Sequence, residues 1–113
     1  MTNSKTNFAT VNGRRILEQL ASVPISSWNY LSQEASIRHL GPVAQDFAAA
    51  FQIGEDHQHI NTVDADGVAL AAIQGLNQKV EAQRAENAEL KQEVAELKRL
   101  LNQLSTKLTG GAR

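Results

Sequence analysis

Apolar residues recur every three and four positions over five consecutive heptads of this 113-residue chain, between residues 73 and 104. A repeat of this kind keeps one apolar stripe of a helix facing a neighbouring helix, so it predicts a coiled coil. No proline interrupts the repeat. Eight of the ten core positions are aliphatic, with Ile73, Val80, Asn87, Val94 and Leu101 at a, and Leu76, Gln83, Leu90, Leu97 and Leu104 at d. The pattern predicts that the chain works as a parallel oligomer.

Charged residues beside this seam favour a parallel arrangement of its C-terminal half. Acidic residues occupy two g positions, and lysines occupy the e positions five residues further on. In a neighbouring parallel helix these positions meet, which pairs Glu86 with Lys91 and Glu93 with Lys98. We therefore expect the coiled coil to be most stable over residues 90–104.

The N-terminal half of the seam is more polar. Lys79 and Arg84 form a g and e pair of like charge, and the consecutive core positions Gln83 and Asn87 carry amides. Polar core groups cost stability, but they penalise shifted or antiparallel pairings in which they find no partner. The alternative interpretation is that they only tolerate a hydrated layer, and both interpretations stay open here.

The residues before the repeat predict a small head with two short helices and a β-hairpin. Asn12 is available as the N-cap of a helix over residues 12–21. Alternating residues at 25–30, a polar turn and residues 37–40 predict the hairpin. Pro42 is expected to be the first residue of a second helix that ends at Phe51. The polar residues that follow predict a loop over 54–61.

A long helix is predicted to begin after Asp66, with Asp66, or as second choice Asp64, as its cap. At ~1.5 Å per residue, the seam would be roughly 48 Å long, too long for so small a head to cover. The predicted fold is α+β. Its predicted domains are a head over residues 1–66, an oligomerisation helix over residues 67–108 and a flexible tail over residues 109–113.

Composition excludes several classes of partner. The net charge of -1 provides no basic face for nucleic acid. A leucine-zipper DNA binder needs a basic region just before the zipper, and residues 61–78 contain no Lys or Arg. No window is long and apolar enough to span a bilayer, so we expect no membrane partner. The absence of cysteine excludes a disulfide framework and a zinc–thiolate site, and we expect no cofactor.

Few residues of the chain could carry chemistry. His57 and His59 lie beside two acids and have the side-chain types of metal ligands. Further ligands at informative spacing are missing, so a solvated loop is the preferred interpretation and a metal-dependent hydrolase the weakest candidate. The neighbours Ser4 and Lys5 point apart on an extended chain, which argues against a catalytic pair formed by the two.

Three ordered blocks of the sequence resemble a known family: SWNY at 27–30, IRHLGPVAQDF at 37–47 and VDADGVALAAIQGL at 63–76. They are similar to the C-terminal intramolecular chaperone domain of endosialidases and other phage tail spikes and fibres, a family also classed as self-cleaving serine peptidases. The resemblance covers residues 3–76, with the coiled coil as a typical extension. It implies a homotrimer that helps a preceding β-rich stalk to fold, in a virion tail precursor assembled in the cytoplasm of the bacterial host.

The resemblance also implies a cleavage reaction. The family begins with a pattern similar to S-D-R-N-x-K-x-N-F, in which the Ser attacks the peptide bond before it and the Lys five residues later is the base. Asn3, Lys5, Asn7 and Phe8 match this pattern, so by resemblance Lys5 is the base. The Ser would fall one position before Met1. The chain as given is therefore expected to be inactive as a peptidase.

Two functions remain to be compared. The first is an intramolecular chaperone that trimerises, assists the folding of a preceding tail fibre or spike, and is released by cleavage at its own N-terminal boundary. The alternative is a purely structural trimerisation or adhesion tip that stays attached and assists nothing.

Overall fold

The computed structural model describes residues 4–111, which form three helices and a two-stranded antiparallel sheet. In chain order the elements are α1 (Gly13–Ala21), β1 (Ser26–Trp28), β2 (His39–Gly41), α2 (Ala44–Phe51) and α3 (Thr62–Gly111). The predicted α+β arrangement is confirmed: two short helices, a hairpin and a long C-terminal helix.

The chain divides into two compact units. The first, called the head from here on, ends at Gln78 and so extends beyond the predicted boundary at residue 66, and the second begins at Lys79. The second unit consists of the remainder of α3, which continues to Gly111. The helix thus extends three residues past its predicted end at residue 108. Residues 112 and 113 of the predicted flexible tail lie outside the described residues.

Asn12 starts α1 as predicted. Its backbone is extended, and its side-chain Oδ1 accepts a hydrogen bond of 3.2 Å from the backbone N–H of Arg15. This bond satisfies one of the N–H groups that the first turn of a helix leaves unpaired. The far end of α1 is tied to α2, because Nε2 of Gln19 donates to the carbonyl of Ala50 at 3.2 Å.

Side-chain hydrogen bonds hold the hairpin, whose strands are only three residues long. Arg38 donates through Nη2 to the carbonyl of Ser27 at 2.8 Å and through Nη1 to Oδ1 of Asn29 at 3.0 Å. Nε1 of Trp28 donates to the carbonyl of Gly41 at 3.2 Å. A two-stranded ladder of this length is marginal by itself, so these cross-strand bonds supply stability that the backbone pairing lacks.

The predicted start of α2 at Pro42 is wrong. Gly41 is still paired with Ser26 in the sheet, and Val43 is extended and serves as N-cap of a helix that begins at Ala44. The chain uses Pro42 and Val43 to leave the sheet before helical geometry begins. Proline suits the first turn of a helix but equally suits a turn after a strand, and the strand pairing decides between them.

The predicted cap of α3 at Asp64 or Asp66 is also wrong, because the helix begins at Thr62. Oδ1 of Asn61 accepts a hydrogen bond of 2.8 Å from the backbone N–H of Val63, so Asn61 takes the capping role. Asp64 lies in the first turn, where its carboxylate stabilises the positive end of the helix dipole.

The core of the head is small. Its buried apolar residues come from the segment after α1, from α2 and from α3, and they are Val23, Phe47, Ala48, Val68 and Ala72. Among the described residues no large side chain is fully buried. Few apolar groups therefore offset the conformational entropy that the head loses on folding.

The backbones of α1 and α3 meet at two glycines. A methyl group on Gly75 would overlap the carbonyl oxygen of Gly13 and lie 2.7 Å from the backbone nitrogen of Arg14. A methyl group on Gly13 would lie 2.8 Å from the carbonyl oxygen of Ala71. Only glycine allows so close an approach, and the contact places the start of α1 against α3.

Candidate functional site

The predicted seam forms an exposed apolar face of α3. In the second unit, six aliphatic side chains on this face are between 40% and 64% exposed: Val80, Leu90, Val94, Leu97, Leu101 and Leu104. In the head, Ile73 is 62% and Leu76 50% exposed. The polar core positions Gln83 and Asn87 are exposed as well. Large apolar side chains that are exposed along one helix face are typical of an interaction surface.

Ion pairs within α3 lie to the side of this seam. Arg84 pairs with Glu81 at 3.8 Å, and Arg99 pairs closely with Glu96. The Glu81 carboxylate partly neutralises Arg84, which has the same charge as Lys79 at the facing g position. The i,i+3 spacing of Glu81 and Arg84 in the sequence indicates this ion pair. Among the ion pairs of the described residues none involves the g and e residues expected to pair between chains, Glu86, Lys91, Glu93 and Lys98.

Lys5 lies in an N-terminal arm, residues 4–12, that is exposed along its whole length. Two large apolar side chains of the arm face solvent, with Phe8 69% and Val11 61% exposed. Asn7 has a φ of 55°, a left-handed conformation that asparagine adopts more readily than most residues. The arm ends at Gly13, which is the first residue of α1.

The structure covers only part of the cleavage pattern. Lys5, Asn7 and Phe8 lie together in the exposed arm. Asn3 lies outside the described residues, as do Met1 and the position before it, where the family has its nucleophilic Ser. The role of Lys5 as base therefore remains a proposal.

An aromatic cluster lies on the hairpin. Trp28 stands opposite His39 in the sheet, and their ring centroids are 5.2 Å apart. The ring of Tyr30 lies 4.9 Å from that of Trp28, and Nε2 of His39 lies 2.9 Å from Oε1 of Gln33. Tyr30 is 53% exposed, so the cluster lies at the surface of the hairpin. Contacts between its rings stabilise the hairpin. Trp28 is the single tryptophan of the chain and reports on the head by fluorescence.

The loop that contains the two candidate metal-binding histidines is folded around Asp56. Its Oδ1 accepts hydrogen bonds of 2.9 Å from the backbone N–H groups of Gln58 and His59. The bond from Gln58, reinforced by the side chain of His59, holds the pKa of Asp56 below its usual value. Over residues 4–111 no three His, Cys, Asp or Glu residues are placed to hold a metal ion. The hydrolase hypothesis therefore gains no support from these residues.

No helix within the described part of the chain has the length and apolarity needed to cross a bilayer.

Comparison with known proteins identifies the head. The family model described as the chaperone of endosialidase matches residues 2–53, which contain the arm, α1, the hairpin and α2. Two of the three blocks noted in the sequence fall inside this match, and the block at 63–76 lies beyond it. Searches of curated proteins and of solved structures found no match to the chain. Through residues 2–53 the chain is therefore similar to the endosialidase chaperone family.

Proposed function

We propose that the chain acts as a parallel homotrimer that assists folding of a preceding tail fibre or spike stalk, and that cleavage at its N-terminal boundary then releases it. The family match of residues 2–53 carries the chaperone role. The exposed seam supports self-association, and the match of Lys5, Asn7 and Phe8 to the family pattern supports the cleavage step. Assembly takes place in the cytoplasm of the bacterial host, before the virion tail is complete.

Burial of the seam supplies the association energy of the proposed assembly. Its aliphatic side chains are exposed in the single chain, and each contributes about 1.5–3 kcal/mol when it is fully buried against other copies.

A trimer of this kind can assist a stalk by holding its chains in register. Interwound β-strands form non-local contacts, whose loop-closure entropy must be lost before the contacts form. A parallel coiled coil keeps three chains side by side at high effective concentration, which lowers that cost. If the cleavage site is completed only in the trimer, release follows correct assembly.

The wild-type chain is expected to sediment as a trimer. Valine at a with leucine at d would by itself permit a dimer, and the family resemblance supports three chains. Sedimentation equilibrium over a series of protein concentrations measures the assembly mass directly. A mass of two chains throughout the series would refute the trimer while leaving the seam intact.

Joining the first residues of the family pattern to the chain should produce cleavage. We expect a precursor that carries a fibre segment and Ser-Asp-Arg ahead of Asn3, in place of Met1 and Thr2, to cut itself immediately before the new Ser. The Ser hydroxyl would then stand five residues before Lys5, whose neutral amine can accept its proton. Electrophoresis and mass spectrometry identify the products.

The matched control is Lys5→Met in the same precursor. Because Lys5 is exposed, this change should leave the trimer intact while it abolishes cleavage. Undiminished cleavage without Lys5 would remove it from the mechanism. If the precursor with Lys5 stays whole but trimeric, the alternative of a structural tip that remains attached is favoured.

A further inference from the structure

The head covers α3 on one flank only. Counting heptads back from Ile73 places Asp66 at an a position and Ala69 at a d position. Between residues 64 and 75, every buried or half-buried residue of α3 occupies a c, f or g position: Asp64, Ala65, Val68, Ala71, Ala72 and Gly75. The a, b, d and e positions of this stretch are exposed. The g flank thus lies under the head, while the e flank is open.

Two of the three e positions of α3 in the head are apolar, and the third is Asn77. Val63 and Leu70 occupy e positions and are 70% and 64% exposed. Further along α3 the e positions Lys91 and Lys98 are charged, as expected where the flank of a coiled coil meets water. A seam of a and d residues does not by itself cover large aliphatic residues at e. Val63 and Leu70 therefore stay exposed unless another part of the assembly covers them.

The register of a parallel trimer identifies what covers them. Each helix turns its e flank towards the g flank of one neighbour. Because the head lies over c, f and g of its own helix, the neighbour's head stands beside the open e flank. We propose, on the basis of the trimeric assembly proposed above, that each head docks on Val63 and Leu70 of the adjacent chain.

The size and position of this surface fit a second copy of the chain. Two side chains form an area far below the ~800 Å² per partner of a stable complex, so the contact would not hold separate chains together. It adjoins the N-terminal end of the seam, since Ile73 occupies the next a position after Leu70, whereas Asp66 at the preceding a position is exposed and does not extend the seam. Once the seam holds the chains together, docking of a head on the adjacent chain no longer requires two free chains to meet. The docked head, whose own core is small, then gains apolar contacts.

Thiol reactivity tests this docking, because the chain contains no cysteine. We expect Leu70→Cys in the full-length trimer to react with a soluble disulfide reagent about tenfold more slowly than Leu31→Cys, because reaction needs local opening of the docked head. Leu31 is the matched control, fully exposed at the tip of the hairpin. Adding Leu97→Asp, which disrupts the seam, should return Leu70→Cys to the fast rate.

Each outcome has a distinct meaning. Equal fast rates for Leu70→Cys and Leu31→Cys in a protein that sediments as a trimer would overturn the docking and leave the trimer standing. Slow reaction that persists after Leu97→Asp would place the protection within one chain and also overturn it. A wild-type chain that sediments as a monomer would instead refute the proposed function. Val63→Cys provides a second reporter on the same flank, and Trp28 fluorescence confirms that each variant is folded.

Discussion

Replacing Leu97 by Asp is expected to dissociate the assembly. Loss of a buried leucine costs about 2–5 kcal/mol, and three unpaired carboxylates near one axis add desolvation and mutual repulsion. Because about 1.4 kcal/mol corresponds to a tenfold change in affinity, association should weaken by more than about a thousandfold. Sedimentation equilibrium at concentrations where the wild type is trimeric should then give the mass of one chain.

The control adds the same charge to the outer face of the preceding heptad. Gln92 occupies an f position, so Gln92→Asp should leave the assembly mass unchanged. A carboxyl in an apolar seam has a raised pKa, so association of the Leu97→Asp variant takes up protons and should strengthen as the pH falls towards about 4. If Leu97→Asp sedimented like wild type at neutral pH, the heptad assignment would be incorrect.

Replacing Gly75 by Ala should destabilise the head even though Ala is the better helix former. The added methyl overlaps the carbonyl oxygen of Gly13 and approaches the backbone nitrogen of Arg14, and neither backbone atom can move aside by a rotamer change. Alanine gains about 1 kcal/mol in helix propensity. The forced separation of α1 from α3 costs roughly 1–3 kcal/mol or more and should outweigh that gain. We expect a lower unfolding temperature, which is measured from Trp28 fluorescence during heating.

The same helix provides an opposite control. A methyl group on Gly67 would meet nothing within 4 Å, so Gly67→Ala should raise stability by about 0.5–1 kcal/mol. Opposite shifts in unfolding temperature for the two substitutions would establish the close approach of α1 and α3 in solution. An equally stabilised Gly75→Ala variant would show that α1 does not pack there.

Local signals predicted most elements of the head. Asn12 is predicted as a cap because its short polar side chain, just before an apolar helical stripe, can accept a hydrogen bond from the first turn. The structure shows this hydrogen bond. The hairpin and α2 were also predicted, with their ends displaced by one or two residues. The start of α3 differs from the prediction, because Asp64 and Asp66 have the side chains of a helix cap but the helix begins at Thr62. Asn61, the actual cap, was assigned to the loop.

The sequence by itself determined the exposed seam of α3, because a heptad repeat depends only on the helical period and the polarity of each residue. Only the tertiary structure decided that Gly13 and Gly75 bring two backbones into contact, since a glycine shows where a side chain is absent but not what approaches it. Tertiary structure also decided which flank of α3 the head covers. That choice depends on contacts between residues far apart in the chain, which no local pattern encodes.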